Sequence, residues 1–515
     1  MPDIIDTNKR IARNTLLLYI RMFFTMAISL YTSRVVLSSL GINDFGVFNV
    51  IGGVIVLFGF LNNAMSASTQ RFLTFEMGKT IGQKINLIFN ISITIHLIIA
   101  LIVILLSETI GLWFIQNHLN IPPDRINAAN WVYQLSILSF IITILYVPYN
   151  AIIIAHERMG FYAIITTIEV ILKLLIVFIL AFTKYDKLIT YSFLLFLVTL
   201  TIGLGYVVFV TVQFKESKLK FYWDSTLFLR MSSFANWNLF GVFAGIAYNQ
   251  GVNILLNIFF GPVINAARGI AYQIQGAVNN FVINFQLAVN PQIIKSYAAN
   301  NKNYLYSLIF ATSKYSFFLL YLVAMPLLLE TEFVLKLWLK EIPDYTTIFT
   351  RLILIDILIG SISGSLQTFA QATGNIKRYQ IVVSGILLLN LPLSYISLKI
   401  GFEPQSTVII SIICSLAALA ARLVVLKLNE EFPIHTFFHI TVKKILFVAP
   451  VAIIFPVWYS SISLNSLGSF LITTIISITS TIISIFLLGT SRPEREYIIT
   501  FIKNTKNHLF NSLAK

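Results

Sequence analysis

Charge is scarce in this chain: only 11% of its 515 residues are Asp, Glu, Lys or Arg, while 57% are hydrophobic. A water-soluble domain of that length needs far more charge to stay in solution, so a soluble globular protein is excluded. Cysteine is nearly absent. The single Cys414 lies inside an apolar run, which excludes an intramolecular disulfide and a cysteine metal cluster and leaves plain packing as its role. The motifs of catalysis are missing as well. There is no zinc-ligand spacing, no phosphate-binding glycine loop and no Ser/His/Asp set, so the sequence calls for no metal, no cofactor and no enzymatic activity. A concentrated basic domain is also lacking. The net charge of +15 is spread over short loops, which excludes a nucleic-acid partner.

What remains is apolar and aromatic, with 43 Phe against 6 Trp. A bilayer core takes about 20 mostly apolar residues per helix. With that ruler the chain carries about fourteen spans and no long polar domain. They run over 14–37, 45–67, 85–106, 128–153, 161–181, 188–212 and 231–259, then 263–289, 307–329, 347–372, 379–398, 406–426, 444–461 and 467–488. The fold class is therefore an all-α polytopic membrane protein. Lys9, Arg10 and Arg13 precede the first span as in a signal peptide, but that span is too long and has no small-residue cleavage site. It reads as an uncleaved helix.

Orientation follows from where the cations fall. Placing the N-terminus in the cytoplasm puts most loop cations there, including Arg71, Lys79, Lys84, Lys215, Lys218, Lys220, Arg230 and those of the tail from Arg492 to Lys515. The opposite side receives six: Arg125, Lys184, Lys187, Lys336, Lys340 and Lys399. Both termini are thus expected in the cytoplasm of a bacterial inner membrane. The chain also reads as doubled, with Gly41, Asn62-Asn63 and Gln70 in one half answered by Gly261, Asn279-Asn280 and Gln292 in the other. An even number of helices per half makes the repeats parallel, related by an axis along the membrane normal. The expected organisation is a six-helix lobe over 1–214, a basic cytoplasmic linker over 215–230, a second six-helix lobe over 231–428, and helices thirteen and fourteen with a basic tail over 429–515.

A charge at mid-bilayer costs roughly 2.5–3.5 kcal/mol even on the lenient insertion scale, so each needs a wet or paired home. Arg21 lies a third of the way into helix one with no acidic partner within a turn, and either lines a cavity or snorkels to the headgroups. In helix eight, Arg268, Tyr272, Gln275, Asn279 and Gln286 fall within about 40° of one line. Such a stripe suits a cavity wall, or helix–helix glue. Helix seven adds Asn249 and Asn253, amides that can donate to and accept from sugar hydroxyls. Glu169 and Lys173 stand four apart in helix five, in register for a self-neutralised pair, or for ion coupling together with the isolated Asp356 of helix ten. Lys314 and Arg351 are near enough to helix ends to snorkel. His96 reads as hydrogen-bonded structure.

The opening stretch 8–53 resembles polysaccharide transporters of the multidrug/oligosaccharidyl-lipid/polysaccharide exporter superfamily, the Wzx-type flippases of O-antigen and other lipid-linked oligosaccharides. The likeness is carried by a basic lead, a long first helix and a corner made of Leu40, Gly41, Asp44, Phe45 and Gly46. There the glycines suit a tight turn, and Asp44 can cap helix two or meet Arg34. The resemblance implies two lobes alternating between inward- and outward-open forms. It also implies an undecaprenyl-pyrophosphate-linked sugar substrate from O-antigen, capsule or exopolysaccharide synthesis, membrane lipids as surroundings, and contact with polysaccharide assembly proteins. Lipid II flippases of the superfamily carry arginines on helices one, two and eight; Arg21 and Arg268 match two of these, and helix two has no cation. Pyrophosphate binding by Arg21 and Arg268, with Tyr272, Gln275, Asn279, Gln286, Asn249 and Asn253 facing the sugar, is the expectation drawn from that match. The rivals are a drug/cation antiporter of the same fold and a membrane polysaccharide polymerase or glycosyltransferase. The latter needs more than the short outer segments 107–127 and 330–346 offer.

Overall fold

The computed structural model describes residues 2–56, 59–79, 84–118, 122–220, 223–339, 342–462, 466–492 and 494–496. Among these residues every regular element is a helix, and no strand occurs. The main helices are α1 (Pro2–Val56), α2 (Gly59–Met77), α3 (Ile85–Leu106), α4 (Ile126–Ala155), α5 (Met159–Phe182), α6 (Lys187–Gln213), α7 (Ser225–Phe260) and α8 (Pro262–Ala298). They continue as α9 (Lys302–Leu329), α10 (Thr346–Ser361), α11 (Gly364–Thr373), α12 (Lys377–Leu388), α13 (Asn390–Ile400), α14 (Ser406–Glu430), α15 (Lys443–Ile462) and α16 (Leu467–Ser484).

Among the described residues, twelve helical segments are long and apolar enough to cross a membrane. The other two expected spans, 45–67 and 263–289, are helical wherever they are described; 263–289 carries seven amides, which lowers its apolarity, and 45–67 includes residues 57 and 58, which lie outside the described residues. Large apolar side chains cover the outside of the helices. Leu101, Leu105, Ile164 and Phe455 are each about 60% exposed or more, a surface that water would not tolerate and lipid would. Prolines sit inside α4, α8, α9 and α15, where neighbouring helices and hydroxyls can satisfy the freed carbonyls.

Local chemistry sets several ends. Asp186 caps α6 by accepting from the amides of Leu188 and Ile189, and Ser466 caps α16 through the amide of Ser469. Gly401 closes α13 in the left-handed conformation. Gly41 and Gly261, the two glycines matched across the halves, share one backbone state, with φ of 80° and 79°. At Gly41 this state kinks α1; at Gly261 it separates α7 from α8. Asp44 accepts from Arg125, which also bonds Asp186 at 2.6 Å, so the corner is tied to the α4 and α6 ends. The Arg34 side chain, its expected alternative, lies outside the described residues, as do the Asn49 side chain and the tail beyond 496.

The chain gathers into two compact units. The first holds 1–246, 284–305 and 367–385; the second holds 247–283, 306–366 and 386–515. The first is built around Leu73, Ile88, Phe89, Tyr149, Ile152 and Ile202. The second is centred on Val252, Leu256, Ala267, Phe349, Ile353 and Val408.

Candidate functional site

In the second unit, α8 presents Arg268 from its first turns. The guanidinium is buried, donating from Nη1 to the Asn249 carbonyl at 3.1 Å and from Nη2 to the Tyr272 hydroxyl at 3.0 Å. It also lies 4.4 Å from the Tyr272 ring centroid, a cation–π contact that the four-residue spacing makes possible. Nε is buried without a partner, and among the described residues no carboxylate pairs with this arginine. Farther along α8, Gln275 and Asn279 are half-buried and make no hydrogen bond to another described residue. Asn253 is engaged differently: its carbonyl and side-chain oxygen both accept from Asn265, at 2.8 and 2.9 Å, bracing the turn around Gly261. That is the glue role of intramembrane amides.

A carboxylate sits in the same unit. Asp356 of α10 accepts from the Ser415 hydroxyl at 2.6 Å and from the Tyr248 hydroxyl at 3.3 Å. Both of these partners are hydroxyls, and among the described residues no cation salt-bridges it. Tyr272 feels both Arg268 and Asp356, which links the arginine and the acid into one polar group. Tyr248 and Ser415 were invisible as partners because they stand 108 and 59 residues away in the chain.

The first unit holds the other arginine. Arg21 is half-buried, donates from Nη2 to Asn284 at 2.8 Å and lies 5.2 Å from the Tyr162 ring. Its Nε is buried and unpartnered, and here too no carboxylate pairs with it among the described residues. Asn284 falls about 140° around α8 from Asn279, off the stripe read from the sequence. Gln286 is half-buried on the same stretch of helix. Glu169 and Lys173 form the ion pair their spacing predicts, at 2.6 Å. His96 is fully buried and bonds the Ser92 carbonyl at 2.7 Å, a structural role. Lys314 corrects the snorkelling expectation. It is 1% exposed and salt-bridged at 2.9 Å to Glu494, which stands 180 residues further along the chain.

One cluster had no signal in the sequence. The short turn between α4 and α5 puts Glu157 in the left-handed conformation, with φ of 59° and a fully buried side chain. Its carboxylate meets Arg10 of α1 at 2.9 Å, and Lys295 and Gln292 of α8 at 2.6 and 2.5 Å. Asn14 donates to its backbone carbonyl. Desolvation pushes Lys295 below the usual lysine range, and the Glu157 charge opposes that shift. Beside it, a Cβ on Gly78 would come within 2.6 Å of the Lys295 carbonyl, so the end of α2 lies directly on α8. Together these contacts clamp α1, α2, the α4–α5 turn and the last turns of α8 on one side of the bundle.

No protein-family model matches the sequence, and no curated protein matches it. Solved structures do share its fold. A MATE transporter in the bent conformation superposes with a TM-score of 0.71 at 12% identity, over 81% of this chain and 95% of that one. The MATE transporter ClbM in complex with Rb+ gives 0.69 at 13% identity, over 82% and 96%. An outward-facing multidrug resistance MATE family transporter of the MOP superfamily gives 0.67 at 14% identity, over 81% and 94%. At such identities the likeness is one of fold.

Proposed function

We propose that this protein is an alternating-access transporter that flips an anionic, pyrophosphate-linked oligosaccharide lipid across a bacterial inner membrane, with both termini in the cytoplasm. The observation that carries the reading is the pair of intramembrane guanidiniums, Arg21 and Arg268, held by amide, carbonyl and phenol groups and left without a carboxylate among the described residues. A buried cation costs too much to keep unless a ligand completes it. A planar guanidinium fork matches the oxygens of a pyrophosphate. Gln275, Asn279, Gln286 and the Asn249 amide would then meet the sugar hydroxyls, and the polyprenyl chain would stay in lipid. On this reading the Glu157 clamp would stabilise one form of the first unit in the transport cycle.

A second reading rests on Asp356. A carboxylate facing hydroxyls and free of a salt bridge among the described residues suits proton or cation coupling, and the structural neighbours include a multidrug resistance MATE family transporter and a MATE transporter in complex with Rb+. On that reading Asp356 drives the cycle, with Glu169 and Lys173 as a secondary coupling pair. The experiment that separates the two follows a fluorescent undecaprenyl-pyrophosphate oligosaccharide across proteoliposomes. Movement that needs Arg268 supports the flippase; absent movement, with proton- or sodium-driven efflux of a cationic dye, supports an antiporter.

A further inference from the structure

A cavity of about 880 Å³ lies in the first unit, and its walls include no residue of either arginine cluster or of the Glu157 clamp. Its volume is within the roughly 300–1,000 Å³ of small-ligand sites. The walls come from the end of α2, the start of α3, the first turns of α7, and residues 373–377 between α11 and α12. Five basic side chains face it, Arg71, Lys79, Lys84, Arg230 and Lys377, against the two carboxylates Glu76 and Asp224.

Both carboxylates are already committed. Glu76 accepts from Lys79 at 2.7 Å, and Asp224 caps α7 through the Leu227 amide and the Thr226 hydroxyl. The cavity is therefore a site of positive charge. At its back Arg71 is 7% exposed, donating from Nε and Nη2 to the carbonyls of Gln371 and Ala372 at 3.2 and 2.7 Å. Its guanidinium lies between the rings of Phe72 and Phe75, at 4.6 and 4.5 Å. Nη1 makes no hydrogen bond to another described residue, which leaves a cationic donor for an incoming acceptor. Gly374, at φ of 79°, permits this arrangement, since a Cβ there would come within 2.6 Å of Nη2.

The mouth has a second character. Lys377 opens α12 with its ammonium 5.4 Å from the Trp237 ring, and helix N-termini favour anions. Arg230 lies next to Leu229, which is 64% exposed in the first turns of a helix long and apolar enough to cross a membrane, so the cavity has an apolar flank where that helix begins. A soluble anion would gain nothing from that apolar flank; an amphiphile would. We propose that this cavity binds the phosphodiester headgroup of an anionic membrane phospholipid, with Arg71, Arg230 and Lys377 on the phosphate and Trp237, Phe234 and Leu229 against the glycerol and first methylenes. The assignment needs the membrane setting and is independent of the transport reading.

The test uses the full-length protein, delipidated in neutral detergent. Palmitoyl-oleoyl phosphatidylglycerol, the matching phosphatidylcholine, inorganic phosphate and glycerol 3-phosphate are added separately, and native mass spectrometry and thermal midpoint are read. The phosphatidylglycerol adduct should dominate. Arg230→Gln and Lys377→Gln, both at exposed positions, should each weaken it about fivefold, since a cation near a lipid phosphate contributes about that factor. Lys215→Gln, exposed but outside the cavity, should leave it unchanged. Equal retention of phosphatidylcholine, unaltered binding by the double variant, or an equal loss in Lys215→Gln would overturn the proposal. Stabilisation by phosphate or glycerol phosphate that matches phosphatidylglycerol would overturn it too, by assigning the cavity to a soluble anion.

Discussion

Replacing Glu157 by Gln keeps the shape of the clamp and withdraws its charge. Hydrogen bonds to charged groups contribute about 1.5–3 kcal/mol, and neutral ones about 1 kcal/mol. Arg10 is half-exposed, so its share is discounted to under about 1 kcal/mol. Lys295 is the deeper partner, with its side chain 22% exposed. The expected loss is about 1–3 kcal/mol, a 5- to 150-fold shift toward the form in which this side is open. A reporter is at hand in Ala288, fully buried beside Leu18, Ile154 and Met159, where Ala288→Cys adds one small atom. Reaction of the new thiol with a membrane-impermeant maleimide, resolved by peptide mass spectrometry, should accelerate by about that factor in Glu157→Gln. The native Cys414, buried in the second unit, is the internal control for general loosening. An unchanged labelling rate in a protein with the parental thermal midpoint would refute the reasoning. So would a rise at Cys414 in step with the reporter.

Other perturbations test other parts. Arg21→Ala and Arg268→Ala should each lower lipid-oligosaccharide flipping about 10- to 100-fold with normal expression, as loss of charge-assisted bonds to a pyrophosphate would; normal flipping in both would sink the assignment. Asp356→Asn should abolish dependence on an imposed ion or pH gradient while leaving substrate binding intact, measured in proteoliposomes with and without the gradient. Gly374→Ala forces a Cβ onto Arg71 at a positive φ, and the thermal midpoint should fall by the equivalent of about 1–2 kcal/mol or more. Burial holds His156 below its ordinary value of 6.5, and the neighbouring Glu216 only partly opposes this. Because the folded value is the lower one, the stability it contributes is present above the unfolded value and lost as pH falls through it; His156→Gln should flatten the decline of the midpoint below about pH 6.5.

The sequence was most informative where physics is local. Twelve spans appear where apolar length places them, because a bilayer-length apolar run has few alternatives to a helix. The kink at Gly41 and the pairing of Glu169 with Lys173 follow from residues within a turn of each other. The α8 stripe located Arg268, Tyr272, Gln275 and Asn279 on one face, but not what each would meet. Partners set by tertiary packing left no trace. Asp44 meets Arg125 from 81 residues away, and Arg21 meets Asn284 from 263. Glu157 carries no signal in the sequence, since nothing within four residues reveals that Arg10, Gln292 and Lys295 converge on it. The amide-rich span 263–289 marks the opposite limit: the side chains that give it chemical interest also blur the hydropathy by which a span is recognised.

The Lys314–Glu494 bridge bears on how the chain is made. Its two ends are 180 residues apart, so at about 5–20 residues per second the ammonium enters the membrane roughly 9–36 s before its carboxylate exists. During that interval an unneutralised lysine within α9 carries an insertion cost of about 2.5–3.5 kcal/mol. The nascent protein must shelter it, by holding α9 against the insertion machinery or by letting it tilt toward the headgroups. Chains that stop before Glu494 never acquire the counter-ion, so the bridge forms only after synthesis has passed that residue.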